Sequence, residues 1–276
     1  MLRTILVGLD GSEHGDSALD LAIRWAKRSD ILVVGMGCVD EPGIHGVEEV
    51  LVGQAYFDGL NASLLAGLQS RVDGALSRGA QRCTDADVRF MPLQDVGTPY
   101  AQFLEEAQRF DLIVLGRKTH FQFGWEDEPD ATLSKVLGDS PRPVVVASDE
   151  PADGDTVIVA YDGSLQAARA LYTFEASGLG RGVEITVVTV VGENTDSTRC
   201  VDRAVEFLKL HGLDAHPHPV DADHSPAEVL LEMIRLSDPG LVVMGAYGQP
   251  VLREFFLGST TRTMLEKSTV PLFLYH

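Results

Sequence analysis

Residues 4–12, TILVGLDGS, run apolar and then break into Asp-Gly-Ser, and residues 156–164, TVIVAYDGS, do the same 152 positions later. After each break the apolar residues recur at helical spacing: Ala18, Leu19, Ala22, Ile23 and Ala26 in one copy, Ala167, Ala168, Leu171 and Phe174 in the other. A strand, a tight turn and a helix are predicted in both. Further continuous apolar runs follow: ILVVGM from Ile31 and VEITVVTVV from Val183, then DLIVLG ending at Gly116 and GLVVMG ending at Gly245. Runs without polar alternation suit strands buried on both faces, as in parallel sheets covered by helices. Each copy closes on a helical stretch and a proline-led strand, PVVVA from Pro143 and PLFLYH from Pro271.

Two copies of a β/α alternation predict an α/β fold: two doubly wound, flavodoxin/Rossmann-like parallel five-stranded sheets in tandem, with right-handed crossovers. The offset shrinks to 128 at the closing prolines, so the first copy is 24 residues longer. Most of the excess lies between Asp40 and about Leu64. The stretch from Ser148 to Asp155, SDEPADGD, is acidic and broken by Pro and Gly. It reads as a linker. The expected division is a first domain over 1–148, a linker over 149–155 and a second domain over 156–276.

Composition narrows the function classes. The chain has 276 residues, 45% of them hydrophobic, with no apolar run near 20 residues and no basic-then-apolar start. A membrane span and a secretory signal are not expected; a soluble, cytoplasmic protein is. The three cysteines, Cys38, Cys83 and Cys200, form no CxxC pair, so reduced structural thiols are expected. The formal net charge is −19, shared by both copies: 13 bases against 24 acids in residues 1–150, and 9 against 17 in 151–276. Such a molecule repels a polyanion, which argues against nucleic acid as a partner. An anionic ligand would need local donors to hold it against this field.

Ligands of doubly wound sheets sit at the carboxyl ends of the strands. In the second copy that end carries GAYGQPVLREFFLGSTTRTMLEK: Gly245, Gly248, then nine residues before Gly258-Ser259 at the start of a predicted helix over 258–267. Glycine lets backbone amides approach phosphate oxygens, and a helix start offers unpaired N–H groups with partial positive charge. Ser259, Thr260 and Thr261 add hydroxyls, one of them available as N-cap when no ligand is bound. The result is a cradle for a triphosphate that needs no net positive charge.

This GxxG-x9-GS spacing after a strand ending VVMG, with an earlier strand ending in Asp-Gly-Ser, closely resembles the universal stress protein family over essentially the whole chain, in tandem. The resemblance implies adenine-nucleotide binding, with ATP as cofactor and magnesium accompanying it. It implies that Asp162 contacts the ribose or adenine edge, that the backbone near Val190 reads the adenine, that Gly245 approaches the ribose, and that Gly248, Gly258, Ser259 and Thr260 hold the phosphates. No dedicated set of metal ligands accompanies these residues. The resemblance also suggests pairing through the closing strands, giving an internal pseudo-dimer, and leaves a homodimer and an unidentified protein partner open.

The first copy departs from the pattern. Counting thirteen residues back from Pro143, as from Pro271 to Gly258, places Asp130 and Ala131 where Gly258 and Ser259 stand. Arg117, Lys118 and Thr119 follow Gly116, and Glu126, Asp127 and Glu128 occupy the loop. A carboxylate about 4 Å from a phosphate costs on the order of 4 kcal/mol at an effective dielectric of 20, roughly a thousandfold in affinity. The first copy is therefore expected to be structural or regulatory.

Other patterns carry less. His216 and His218, near Asp221, Asp223 and His224, alternate on one strand face without a second fixed pair, which favours a solvated face over a metal site. Gly35 and Gly37 in VVGMGCVD imitate a dinucleotide fingerprint, but Asp40 stands at the third glycine position. No P-loop or nucleophile elbow occurs, so catalysis has no sequence anchor. A stress-response, nucleotide-binding regulator is expected. The alternatives are a slow ATPase or phosphotransferase using Glu254 or His224, and a nucleotide-free interaction module using the 40–64 insertion.

Overall fold

The computed structural model describes residues 1–40, 54–121, 131–191, 197–221, 224–246 and 258–276. Contacts group Arg3–Pro141 as one compact unit, and Arg142–His276 with Met1–Leu2 as the other.

The first unit contains β1 (Thr4–Gly8), α1 (Glu13–Arg28), β2 (Leu32–Val39), α2 (Gln54–Asp85), β3 (Phe90–Val96), α3 (Pro99–Glu106), β4 (Leu112–Leu115) and α4 (Thr132–Asp139). Its strands lie in the order β3-β2-β1-β4, all parallel. The second unit contains β5 (Val144–Val146), β6 (Thr156–Ala160), α5 (Leu165–Ser177), β7 (Glu184–Val191), α6 (Ser197–Leu210), β8 (Asp214–Asp221), α7 (Pro226–Ser237), β9 (Leu241–Gly245), α8 (Ser259–Lys267) and β10 (Leu272–Tyr275). There the parallel order β8-β7-β6-β9-β10 repeats the arrangement of the first unit. The doubly wound α/β fold predicted from the apolar runs is the fold observed.

β5 continues the sequence of the first copy yet pairs antiparallel with β10, Val144 opposite Leu274 and Val146 opposite Leu272. The two closing strands thus satisfy each other's ladder, and Phe273 and Leu274 are buried rather than exposed on an edge.

The apolar runs are interior, as their lack of alternation requires. Ile5, Leu6, Val7 and all of Leu112–Leu115 are fully inaccessible, as are Val242 and Val243. Each such side chain contributes roughly 1.5–3 kcal/mol by leaving water. In α1, the predicted stripe Ala18, Leu19, Ala22, Ile23 and Ala26 is buried. The outermost strands are built differently. β3 alternates in exposure and carries Pro92, and β8 carries Pro217 and Pro219. Proline has no N–H to offer a further strand, so β3 and β8 are each blunted as edge strands.

The insertion in the first copy is in part helix: its residues from Gln54 form the opening turns of the 32-residue α2, and 41–53 lie outside the described residues. Gly35 and Gly37, the imitation fingerprint, lie inside β2. A Cβ on Gly35 would stand 2.5 Å from the Phe90 ring, and one on Gly37 would stand 2.6 Å from Val72. Their role is packing. Cys38 and Cys83 are fully buried thiols.

Helix and strand approach each other closely at one repeated point. A Cβ on Gly116, just after β4, would lie 2.5 Å from the His14 carbonyl oxygen in α1. A Cβ on Gly245, at the end of β9, would lie 2.6 Å from the Ala167 amide nitrogen in α5. Backbone cannot yield as a flexible side chain can. Gly116→Ala is therefore expected to cost about 1–3 kcal/mol, the usual range for forced overpacking, read by urea unfolding.

Burial pushes the Cys83 thiol up to about 11, with Arg82 opposing it, against 9.0 for an ordinary cysteine. The folded state thus holds this proton after the unfolded chain has lost it. Its stabilising contribution is whole below pH 9.0 and declines as pH rises through about 11. Urea unfolding of wild type and Cys83→Ala should show the wild-type advantage shrinking between those values.

Candidate functional site

Both Asp-Gly-Ser turns have one construction. The glycine takes the left-handed conformation, φ +76° at Gly11 and +79° at Gly163, which a side chain rarely tolerates. The serine is the N-cap of the next helix: Ser12 Oγ accepts from the Gly15 N–H at 3.1 Å, and Ser164 Oγ accepts from the Ala167 N–H at 3.1 Å. The aspartate braces the cap from behind, its Oδ1 accepting from the Ser12 N–H at 3.0 Å or the Ser164 N–H at 2.9 Å. Asp162 itself is not the cap of this helix. The serine has the shorter reach to the helix interior, and it does the capping.

The two aspartates then differ. Asp10 is only 4% exposed. Its Oδ2 accepts from the His120 N–H at 2.7 Å, and its Oδ1 also accepts from Ser12 Oγ at 2.6 Å. The loop after β4 is thus fastened onto the turn, with Thr119 and Phe121 buried and the Phe121 ring edge-on to Phe103 at 5.2 Å. Asp162 is exposed, and among the described residues only the Ser164 N–H donates to its carboxylate.

The register brings the predicted residues to one level. Ala160 in β6 stands opposite Val188 in β7 and Met244 in β9. Asp162 and Val190 lie two residues beyond this level and Gly245 one beyond, all at the carboxyl ends of parallel strands. Thr189 is fully buried there, its Oγ1 donating to the Tyr161 carbonyl at 2.7 Å. Cys200, from α6, lies against the turn, its Sγ 3.1 Å from where a Gly163 Cβ would stand. Burial raises the Cys200 thiol above its ordinary range, with the Asp162 charge adding to the rise and the Thr189 hydrogen bond and Arg203 opposing it. Burial also raises the Tyr161 phenol, followed by Cys200 and Asp162. Neither Thr189 nor Cys200 stood out in the sequence, because neither belongs to a spaced motif; the signal was only their nearness to a strand end and a helix start.

Gly258 is the N-cap of α8, with Ser259 and Thr260 in its first turn. Among the described residues no side chain caps this helix, contrary to the expectation that a nearby hydroxyl would serve. The hydroxyl residues all follow the cap, where helical backbone turns them away from the orphan N–H groups; Thr261 is buried. A Cβ on Gly258 would meet no atom within 4 Å, and its φ of −53° is open to any residue. Neither packing nor backbone geometry among the described residues asks for glycine here. Gly248 and Glu254 lie outside the described residues, as do Asp130 and the acidic positions 126–128.

The histidines of β8 face solvent, and His216 Nε2 lies 3.2 Å from Asp214. Among the described residues no group of three or more His, Cys, Asp or Glu is placed to hold a metal ion. Among them, too, no helix is long and apolar enough to cross a membrane.

A doubly wound parallel sheet with an Asp-Gly-Ser turn and a glycine-ended strand at one end defines a Rossmann-like α/β protein. Residues 209–276 match the model of the Universal stress protein family. Universal stress protein Slr1230 of Synechocystis sp. is 25% identical over 168 residues, 60% of this chain and 58% of that protein, so the match spans less than two thirds of that relative. A universal stress protein from Archaeoglobus fulgidus DSM 4304 is similar in structure with a TM-score of 0.74 at 20% identity, covering 99% of this chain and 97% of that one. The functionally unknown protein PA1789 from Pseudomonas aeruginosa PAO1 is similar with a TM-score of 0.55 at 16% identity, covering 99% and 92%. Over residues 209–276, in its C-terminal unit, the chain is thus similar to the universal stress protein family.

The contrast between the aspartates sets a test. Asp10→Asn replaces an oxygen that accepts from an amide with a group that must donate or turn away, leaving a buried N–H unpaired. A loss of about 1–3 kcal/mol is expected. Asp162→Asn, exposed and with one such bond, should change stability by less than about 0.5 kcal/mol. Chemical denaturation of the two variants checks the difference.

Proposed function

We propose that the second copy, 156–276, binds an adenine nucleotide, and that the chain acts as a nucleotide-dependent stress-response regulator rather than a catalyst. The observation that carries this reading is the start of α8: an N-cap with no side-chain bond, at a glycine whose Cβ position is open. Among the described residues no side chain partners the first amides of that helix, and the positive end of the helix dipole lies behind them. They fit a phosphate group, and the free space at Gly258 lets it approach.

In this reading Gly248, Gly258, Ser259 and Thr260 hold the phosphates of ATP. Asp162 accepts from a ribose hydroxyl or the adenine edge, and the backbone at Val190 reads the base. Gly245 approaches the ribose, and it has a packing reason of its own as well, the approach of α5. Magnesium would be held by the phosphates. Domain boundaries at 148 and 156, an internal pseudo-dimer through the closing strands, and a cytoplasmic location belong to the same proposal.

The first copy is read as a structural or regulatory counterpart. Its Asp10 is buried and its carboxylate occupied by the loop that follows β4, so it has nothing to offer a ribose. Because ATP would bind the native state alone, it adds RT ln(1 + [L]/Kd), about 2.7 kcal/mol at a hundredfold excess over Kd, enough to bias a partner equilibrium.

The test is Gly258→Asp, which copies the first copy's Asp130. Aspartate is a preferred N-cap, so the variant should be as stable as wild type or gain up to about 1 kcal/mol. Its carboxylate should weaken ATP binding on the order of a thousandfold. Calorimetric titration and thermal melting check both, and unchanged ATP affinity would overturn the reading. Asp130→Gly alone should not create a site in the first copy, since Asp10 remains engaged. Mass spectrometry of small molecules released from the denatured protein reports any nucleotide carried through purification.

A further inference from the structure

We infer that Thr189 is a positioning residue, whose hydroxyl holds the Asp162 turn in place so that the Asp162 carboxylate stays free for a ligand. The inference rests on the nucleotide reading of this site and names the group that presets it.

The two copies hold equivalent turns by different means. In the first copy the Leu9 N–H donates to the Met36 carbonyl, and in the second the Tyr161 N–H donates to the Val188 carbonyl, each at 2.8 Å. These bonds align the copies residue by residue and place Thr189 opposite Gly37. Gly37 has no side chain to offer, and the space a Cβ would need is taken by Val72. There the turn is fastened through the aspartate itself: Asp10 Oδ2 accepts from the His120 N–H. The fastening consumes the carboxylate.

In the second copy the fastening is moved to the backbone. Thr189 Oγ1 donates at 2.7 Å to the carbonyl of Tyr161, the residue before Asp162. The hydroxyl has one hydrogen and spends it there. The bond from hydroxyl to carbonyl fixes the entry to the turn from the side, in a buried setting where a hydrogen bond is strong and its loss is felt. Asp162 is left exposed, with one oxygen accepting from Ser164 and the other open among the described residues. A preset acceptor loses less freedom on binding than one that must be ordered by the ligand.

The experiment uses Thr189→Val, which keeps the shape and deletes the hydroxyl, and Thr189→Ser, which keeps the hydroxyl. In nucleotide-free protein, amide exchange at Gly163 and Ser164 should quicken tenfold or more in the valine variant, stay near wild type in the serine variant, and be unchanged in β9. ATP affinity by titration should fall about tenfold with valine and recover within threefold with serine. Thr189→Ala replaces the valine variant should that one fail to fold. Exchange and ATP affinity both unmoved by loss of the hydroxyl would overturn the inference, as would equal loosening of the whole unit. A wild-type protein that binds no ATP, with the local exchange change present, would instead overturn the nucleotide reading and leave the clamp standing.

Discussion

The fold of each copy depends on a contact that has no side chain in it. The first turn of a helix lies against the end of a neighbouring strand so closely that a single carbon atom at Gly116 or Gly245 would meet backbone at about the length of a hydrogen bond. The helix in question begins at the Asp-Gly-Ser turn. Left-handed glycine redirects the chain, the serine caps the helix, and the aspartate braces the serine. The helix start is thus fixed in both direction and distance before any ligand is considered. A site at the carboxyl end of the sheet inherits that rigidity, and backbone donors there can be placed to within the tolerance that anion binding requires.

From the same local construction the copies diverge by what comes after the fourth strand. In the first, the loop returns to cover Asp10, buries Thr119 and Phe121, and spends the carboxylate on its own amide. In the second, Asp162 stays in solvent, and the turn is secured through a threonine hydroxyl and a carbonyl. In the first copy the carboxylate is used internally; in the second it faces water, with one bond from the Ser164 N–H among the described residues. The same turn thus ends in a buried acceptor in one half and an exposed one in the other.

Charge fits this division. A chain with a net charge of −19 cannot draw an anion by its overall field. Attraction has to come from dipoles at short range, where the low-dielectric end of the sheet makes them effective and where distant carboxylates are screened by salt. The uncapped start of α8 is such a dipole, and the absence of a side chain at Gly258 is what gives access to it.

Much of this was legible in the amino-acid order because it is local or periodic. Continuous apolar runs spell buried parallel strands, the helical stripe of α1 is interior as its spacing demands, and a repeat of nine residues marks the duplication. The motif residues Asp162, Val190, Gly245 and Gly258 arrive at the same end of the sheet because a parallel β/α alternation can put them nowhere else. What could not be read is whatever depends on distance between residues far apart in the chain. Asp10 and Asp162 sit in nearly identical sequence contexts, yet one is buried by an amide 110 residues away and the other is not. The glycine at 245, read as approaching a ribose, also has a helix packed against it; Thr189 and Cys200, with no motif to mark them, come to the turn only when α6 packs against β7. Local conformation and burial pattern are properties of neighbouring residues, whereas which polar group is satisfied, and by whom, is a property of packing, and only the folded chain decides it.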